Sequence, residues 1–506
     1  MTKIFNHSDF VKKLSSLRKK NLKIILCHGV FDILHSGHIL HFREAKALGD
    51  ILVVSITSDQ FINKGPNRPF LNTTQRMKMI SELGLVDFVI DSPEVSALHN
   101  ISLIKPDIYC KGPDYKNEKL DLTGNIIKEK NLLKSFKGKI VYTRSPKLSS
   151  SNLLNNNFNY LTNEQKKYIE NIKRNHQFEF RSLFKKIEKI RVLIIGELII
   201  DRYVFGEAVG KSSKDPIIVL NENKTVSYLG GSGSIAKNLS SLSTKVTLLT
   251  LKNQSCEENQ FINKEINNLF KVKYFTKKNY KTIVKKRFVE SLNNRKLLGL
   301  YNINDEIIDK KNEGKIINYL NNNSKNFDTV IVADYGHGLI SEKISNSIKK
   351  NFKNSFINTQ INSFNIRSQN INKYKNSNCV VINEGELRLD LKDNTNSLEY
   401  LSKVFFKKYK IKTLVVTSGS KGANIFYNSK NKKSISCPAY GSIVIDKTGS
   451  GDSLLALFSI FKTLNLNDEI SLLIGSLAAA ESLKNVANSK IIQKDSIIKS
   501  IENIFA

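Results

Sequence analysis

The chain has 506 residues, 40% hydrophobic and 25% charged, too long for one ordinary core and suited to a soluble protein of two or three domains. No apolar run approaches the roughly 20 residues that span a bilayer, and Met1 to Lys20 lacks a signal peptide's apolar core, so a membrane role is excluded and a cytoplasmic location expected. The formal charge of +33 comes from Lys spread along the chain, with no basic arm or Arg cluster; this argues against a nucleic-acid role while favouring anionic, phosphorylated substrates. Strands are expected at Lys23–Cys27, Ile51–Thr57, Phe88–Ile90, Ile108–Cys110 and Lys139–Tyr142, with helices over His38–Leu48 and Thr74–Leu83. This alternation predicts a parallel sheet covered by helices. Asn155–Asn159 and the Lys- and Glu-rich run from Leu161 to Ile190 read as a linker passing into an exposed helix. A second alternating pattern follows, with strands at Arg191–Ile195, Val246–Leu249, Thr329–Ala333, Phe356–Asn358, Val380–Asn383 and Leu414–Thr417 and helices at Asp452–Leu464 and Glu469–Val486. Five cysteines with no CxxC pair argue against a disulfide framework or a zinc site.

The densest local signal is the run from His28 to His38, HGVFDILHSGH, which leaves a strand and enters a helix. His35 and His38, three apart around a glycine, fall where that helix begins. Free N–H groups and the positive dipole end favour an anion there. Gly29 lets backbone approach a phosphate, and two imidazoles can donate to a triphosphate as charge moves to a leaving pyrophosphate. The bland readings are a metal pair or polar cap residues. The run resembles the HxGH nucleotidyltransferase superfamily, and within it the glycerol-3-phosphate cytidylyltransferase and ADP-heptose synthase branch. Further motifs of that branch follow in order: Arg43 to Asp50 after HxGH, Asn67-Arg68-Pro69, Gln75-Arg76, Lys111-Gly112-Pro113-Asp114-Tyr115 and Ser149-Ser150-Ser151-Asn152. Cys27 and Ser151 stand where relatives carry Thr. The resemblance implies that His35 and His38 stabilise the transition state. It implies that Gly29, Phe31, Lys46, Arg76, Lys111, Ser150 and Ser151 bind nucleotide or phosphate. Asp114 caps a turn as readily as it touches the nucleotide.

In the C-terminal half, Asp446-Lys447-Thr448-Gly449-Ser450-Gly451-Asp452 precedes a long apolar helix. Its glycines free backbone N–H groups to surround an anion, and Asp452 at the mouth can take a proton from an attacking hydroxyl. The plain alternative is a Gly-rich turn with a capping Asp. The segment resembles the DxxGxGD signature of the ribokinase-like (PfkB) carbohydrate kinases. Asn383 and Glu386 resemble their NxxE motif, implying phosphate binding and an indirect hold on magnesium. Thr417, Gly419 and Gly422 resemble their nucleotide loop, alongside Gly449 and Gly451. Gly230, Gly231 and Asn238, with Asp201, resemble the sugar pocket, and Asp334-Tyr335-Gly336-His337-Gly338 resembles the DYxxG segment of the heptose kinase branch. Asn358-Thr359-Gln360 departs from the DPK or DPR of relatives, which touches kinase efficiency or substrate choice. His337 reads as an ordinary hydrogen-bonding loop residue.

The expected fold class is α/β in two domains: a Rossmann-like HxGH nucleotidyltransferase over 1–155, a linker and helix over 156–190, and a ribokinase-like α/β domain over 191–506. The pairing resembles the bifunctional ADP-heptose synthesis enzymes, in which the kinase comes first; here the order is reversed. The resemblance implies a nucleotide-activated, heptose-like sugar made for surface polysaccharide from sugar phosphate and ATP with Mg2+, in a chain that self-associates. Two alternatives stay open. The N-terminal half can use CTP and a polyol or sugar phosphate, and the C-terminal half can be a regulatory sugar-binding module.

Overall fold

The computed structural model describes residues 3–62, 68–113, 125–144, 161–176, 179–242, 245–252, 256–277, 280–303, 306–361, 371–429, 431–441 and 443–505. They divide into two compact units, residues 1–162 with 499–506, and residues 163–498.

The first unit opens with a helix absent from the sequence reading, α1 (His7–Lys19). Asn6 caps it by accepting from the Asp9 N–H, and Phe10, Leu14 and Leu17 form its one buried face. Those three apolar residues are diluted by charges, which hides the period. Then come β1 (Ile24–Gly29), α2 (Ser36–Lys46), β2 (Ile51–Thr57), α3 (Thr73–Ser81), β3 (Phe88–Ser92), α4 (Leu98–Ile104), β4 (Ile108–Lys111), α5 (Asn125–Lys134) and β5 (Lys139–Tyr142). The strands form one parallel sheet ordered β3-β2-β1-β4-β5. Both faces are covered. Ile25, Cys27, Leu52 and Val54 pack with Phe42 and Ala45 of α2, while Ile24, Leu26 and Val53 pack with Phe10, Ile101 and Ile104. The order reverses between β1 and β4, so the crevice beyond their carboxyl ends is where this topology places a ligand.

The second unit starts earlier than the reading of an exposed linker helix allows. α6 (Asn163–Asn175) buries Tyr168, Ile169 and Ile172, and α7 (Phe180–Ile187) buries Leu183, Phe184 and Ile187. Tyr168 donates to the Glu469 carbonyl at 2.9 Å, and Phe184 packs edge-on against Phe461 at 5.0 Å. That reading is therefore corrected: the charges line only the outer faces of two packed amphipathic helices.

The chain continues with β6 (Arg191–Gly196), β7 (Leu198–Lys211), β8 (Ile218–Gly231), α8 (Ser232–Ser240), β9 (Lys245–Leu251), α9 (Cys256–Ile266) and β10 (Lys271–Phe275). Next are β11 (Ile283–Glu290), β12 (Arg295–Asn302), α10 (Lys310–Asn323), β13 (Thr329–Asp334), α11 (Glu342–Asn351), β14 (Ser355–Thr359) and β15 (Cys379–Asn383). The last are α12 (Glu384–Leu391), α13 (Leu398–Tyr409), β16 (Thr413–Thr417), β17 (Ala423–Tyr427), β18 (Ile435–Cys437), α14 (Ser450–Thr463), α15 (Asp468–Leu483) and α16 (Lys494–Phe505). A nine-stranded sheet runs β10-β9-β6-β13-β14-β15-β16-β17-β18, parallel from β10 to β16. Here the order reverses between β6 and β13. Every residue from Ser453 to Phe461 in α14 is buried, which makes it the central helix.

A separate four-stranded sheet, β12-β11-β7-β8, is missing from the sequence reading. From Glu207 onward β7 is exposed, as is almost all of β12, so neither carries the apolar alternation that marks a half-buried strand. Among the described residues no helix is long and apolar enough to cross a membrane.

Candidate active sites

In the first unit, His28 and Gly29 end β1 at the switch point. Phe31, at a left-handed φ of 49°, lays its ring over Gly29, where an added Cβ would meet a ring carbon at 3.0 Å. The same ring sits edge-on to His38 at 5.2 Å. His35 is the N-cap residue of α2 and His38 lies in its first turn. Their imidazoles stack, centroids 3.8 Å apart and 21° between planes. Two ring donors and the free N–H groups of a helix end thus share one place. His28 is set apart from them: its Nδ1 lies 2.9 Å from Ser55 Oγ, and burial, then the Lys111 ammonium, push it down to about 4. It is a neutral framework residue.

Several expected phosphate ligands have other duties. Lys46 is the last residue of α2, at the end opposite His35, where its ammonium meets Asp87 and the Asp50 carbonyl, each at 2.6 Å. Asp50 and Asp87 precede β2 and β3, so Lys46 belongs to the amino edge of the sheet, at the end of α2 away from the two histidines. Arg76 is 1% exposed. Its guanidinium donates to the carbonyls of Leu71, Val30 and Thr57, to Asp59 Oδ1 at 2.5 Å and to Thr73 Oγ1. With all five N–H groups engaged, it braces the ends of β1 and β2 and has no donor left for phosphate. Gln75 completes a capping box with Asn72 on α3, so the Gln75-Arg76 pair is architectural in both members. Lys111, at the end of β4, pairs with buried Glu129 at 2.7 Å.

Asp32, within the histidine run, received no role from sequence. It is fully buried and accepts from Arg68 Nε at 2.6 Å and from the Phe70 and Leu71 N–H groups. It therefore shapes the Arg68–Leu71 segment beside the histidines. A buried Asp among apolar neighbours is the signal that could have marked it. Ser150 and Ser151, with Asn67, Asp114 and Tyr115, lie outside the described residues.

In the second unit the groups converge on the carboxyl ends of β6, β13, β15 and β16 and on the start of α14. Gly449 caps α14 at φ 86°, and a Cβ there would meet Asn488 Oδ1 at 2.1 Å. Space in front of Gly451 is open, so the turn presents N–H groups toward room for an anion. Asp452 follows and accepts from Tyr335 Oη at 3.0 Å. Burial pushes its carboxyl up to about 7, with Asp201 adding to the effect and the Tyr335 bond and Lys285 opposing it. A carboxyl poised there is suited to take a proton near neutral pH.

Asp201 on β7 is bound by Arg287 at 2.5 Å and rests against Gly230, where a Cβ would stand 2.1 Å from its Oδ2. The glycine is there for the aspartate; Gly231 follows as the N-cap of α8. Asn238 has a different role from the one expected. Its amide donates to Ser453 Oγ and accepts from the Ile492 N–H, which makes it a brace between α8 and α14. Lys285, unassigned from sequence, is the register partner of Asp201 on β11. Burial pulls its ammonium below the usual lysine range. Its signal is the cationic run Lys285-Lys286-Arg287 between the apolar pairs Ile283-Val284 and Phe288-Val289 of one strand.

Asn383 and Glu386 form a reciprocal capping box on α12: the Asn383 side chain accepts from the Glu386 N–H and Glu386 accepts from the Asn383 N–H at 2.8 Å. The NxxE spacing thus has a structural cause of its own. Burial pushes Glu386 up to about 7, with Asp452 contributing. Among the described residues no group of three or more His, Cys, Asp or Glu is gathered for a metal. A buried carboxylate such as Glu386 is the oxygen type magnesium takes, and it fits an ion held mainly by nucleotide phosphates and water. Thr417 ends β16, and Ser418 donates to the Gly422 carbonyl to close the loop that carries Gly419. At the end of β14, Asn358 donates to the Val381 carbonyl and the Gln360 N–H to the Asp334 carbonyl. His337 is fully buried beneath the loop.

Asp446 gathers the Gly-rich turn to the four-stranded sheet. It accepts from Lys296 at 2.6 Å, from Tyr203 at 2.7 Å and from the Thr448 and Ala487 N–H groups. Burial alone would raise its carboxyl, but Lys296 and these donors hold it down to about 2.

Residues 26–156 match the family model described as cytidylyltransferase-like, and residues 189–493 the model for pfkB family carbohydrate kinases. The bifunctional protein HldE of Campylobacter jejuni subsp. doylei is 40% identical over 140 residues, 26% of this chain and 30% of that protein. That of Aliarcobacter butzleri is 28% identical over 295 residues, 56% of this chain and 59% of that protein. The chain thus spans less than two thirds of either relative. Among solved structures, phosphofructokinase-2 of Escherichia coli aligns over 63% of this chain and all of its own, with a TM-score of 0.51 and 11% identity. Ribokinase from Giardia lamblia aligns over 62% and 98%, at 0.50 and 14%. At such identities these two share the fold alone. A cytidylyltransferase-like domain precedes the kinase domain, and because the second model takes in more than half of the residues, the chain belongs to the pfkB family of carbohydrate kinases.

Proposed function

We propose that the chain is a cytoplasmic enzyme of two activities, a sugar kinase and a sugar-phosphate nucleotidyltransferase, which together make a nucleotide-activated, heptose-like sugar. The observation that carries the kinase reading is Asp452, held near neutrality at the mouth of the Gly449–Gly451 turn and facing Asp201 and Lys285. A sugar phosphate would lie against Asp201. As its hydroxyl oxygen bonds to the γ-phosphorus of ATP, the bond from that phosphorus to the bridging oxygen breaks and ADP leaves. Asp452 takes the hydroxyl proton, and the turn's N–H groups with the α14 dipole bear the transferring phosphoryl charge. Magnesium, when bound, would spread charge over the phosphates, with Glu386 on that side of the site.

The transferase reading rests on the His35–His38 stack at the head of α2. A sugar phosphate oxygen attacks the α-phosphorus of a nucleoside triphosphate in line, and the two imidazoles donate to the phosphates as pyrophosphate departs. The name of the matched N-terminal family favours one second reading, CTP in place of ATP at this site. Intact protein assayed with heptose and hexose phosphates, with ADP and pyrophosphate read separately, tests both halves. ADP release that exceeds that of Asp452→Asn supports the kinase, and equal release overturns it in favour of a regulatory module. Faster pyrophosphate release with CTP than with ATP overturns the adenylyl reading.

A further inference from the structure

We propose that Tyr335 is the positioning residue for the kinase base: its hydroxyl occupies Oδ1 of Asp452 and leaves Oδ2 to receive the substrate proton. The proposal deepens the kinase reading and rests on Asp452 acting as the base. Tyr335 follows β13 and is 2% exposed. Its hydroxyl has one proton, which goes to Asp452 Oδ1 at 3.0 Å. A donor at that oxygen favours the ionised carboxylate, directs protonation to the other oxygen and fixes the carboxylate's rotation about its Cβ–Cγ bond.

The tyrosine is held from below by buried carboxylates. Its own N–H donates to Glu197 Oε2 at 3.2 Å, and the Leu339 N–H donates to the same carboxylate at 3.3 Å. Asp334, the preceding residue, is locked by Lys373 and Tyr374, each at 2.6 Å, and accepts from the Gly336 N–H. Both ends of the loop are thus pinned, which is the support a precisely aimed side chain requires. The Lys285 ammonium lies 5.8 Å from the Tyr335 ring centre on the side of the four-stranded sheet. The charges facing Asp452 are then Asp201 and Lys285 from that sheet and Glu386 from α12, with Tyr335 the hydroxyl donor among them. Burial and Asp201 raise the base, and Tyr335 and Lys285 oppose them.

The experiment is the pH profile of kcat/KM for sugar phosphorylation by intact wild type, Tyr335→Phe and Asp452→Asn, with magnesium and ATP saturating. Phenylalanine keeps the ring and its packing and removes only the donor. The wild-type acid limb is expected near 7, and in Tyr335→Phe it moves up by about one pH unit, so kcat/KM falls about fivefold at pH 7, about tenfold at pH 6, and recovers above pH 8.5. KM for ATP stays within twofold, and thermal melting of Tyr335→Phe monitors the fold. A lost hydroxyl that merely loosened packing lowers the rate equally at every pH, and that outcome overturns the proposal. So does an unshifted limb with wild type active and Asp452→Asn dead, which leaves the base reading intact. An active Asp452→Asn, or a wild type that phosphorylates no sugar, removes the base reading and this inference together.

Discussion

At the scale of single residues, the two sites ask different things of their key groups. In the proposed transferase mechanism His35 and His38 act through placement at a helix end, so truncating either removes donors without opening a core. His35→Ala or His38→Ala is expected to lower the pyrophosphate-release rate by about 10²- to 10³-fold while ADP release stays at the wild-type rate. In the proposed kinase mechanism Asp452 acts through its proton affinity. Its folded value, about 7, lies above the unfolded 3.8, so the folded state favours the protonated form. The stability tied to this carboxyl is fully present below the unfolded value and is lost as pH rises through about 7, where burying the anion becomes a cost. Asp452→Asn should therefore abolish phosphorylation and yet stabilise the kinase unit at pH 8 by roughly 1 to 3 kcal/mol. Melting at pH 8 and pH 5 checks this: the gain should shrink at the lower pH.

At the scale of elements, one helix holds two of the residues singled out from sequence at its opposite ends. α2 carries His35 at one end and Lys46 at the other, about three turns away by helix geometry. Lys46→Ala loses a part-exposed ion pair with Asp87, about 1 kcal/mol or less, and should leave the KM for nucleotide unchanged. Arg76→Ala removes a buried guanidinium that five acceptors rely on, and should destabilise the first unit by about 3 to 5 kcal/mol. Thermal unfolding of both variants separates the roles, and equal, small losses would contradict the bracing role of Arg76. On β8, Gly230→Ala would press on Asp201 and displace it from Arg287, so the sugar KM should rise at least tenfold with the KM for ATP little changed. Steady-state kinetics with each substrate varied is the test. Motif and element also explain each other here. Asn72–Gln75 and Asn383–Glu386 recur at the same spacing because each opens a helix with a capping box. One overlaps the Gln75-Arg76 pair and the other is the NxxE motif itself, read from sequence as phosphate-binding with an indirect hold on magnesium.

At the scale of the whole molecule, the parts legible in sequence were those with local periodicity. Most strands of the two large sheets announced themselves, because strands buried on two faces are short continuous apolar runs and their helices return between them; β10, β17 and β18, at or next to the edges of the nine-stranded sheet, did not. Ile51–Thr57 and Lys139–Tyr142 coincide with β2 and β5 to the residue. The four-stranded sheet was silent because its outer strands face solvent on both sides. Site residues divided the same way. His35, His38 and Asp452 sit in compact motifs, whereas Tyr335 reaches Asp452 across 117 residues and Lys285 reaches Asp201 across two strands. No window along the chain contains such pairs.

The ties at Asp446 have a thermodynamic consequence. Tyr203 and Lys296 belong to the sheet that carries Asp201 and Arg287, proposed to face the sugar, and both end on the aspartate that opens the Gly-rich turn proposed to hold phosphate. A ligand that settles the sheet therefore settles the turn as well. On the proposed kinase reading, sugar and nucleotide affinities are then expected to be coupled, and the coupling must be equal in the two directions. Calorimetric titration of each substrate with and without the other should return the same factor above one, and Lys296→Met should bring both factors toward one.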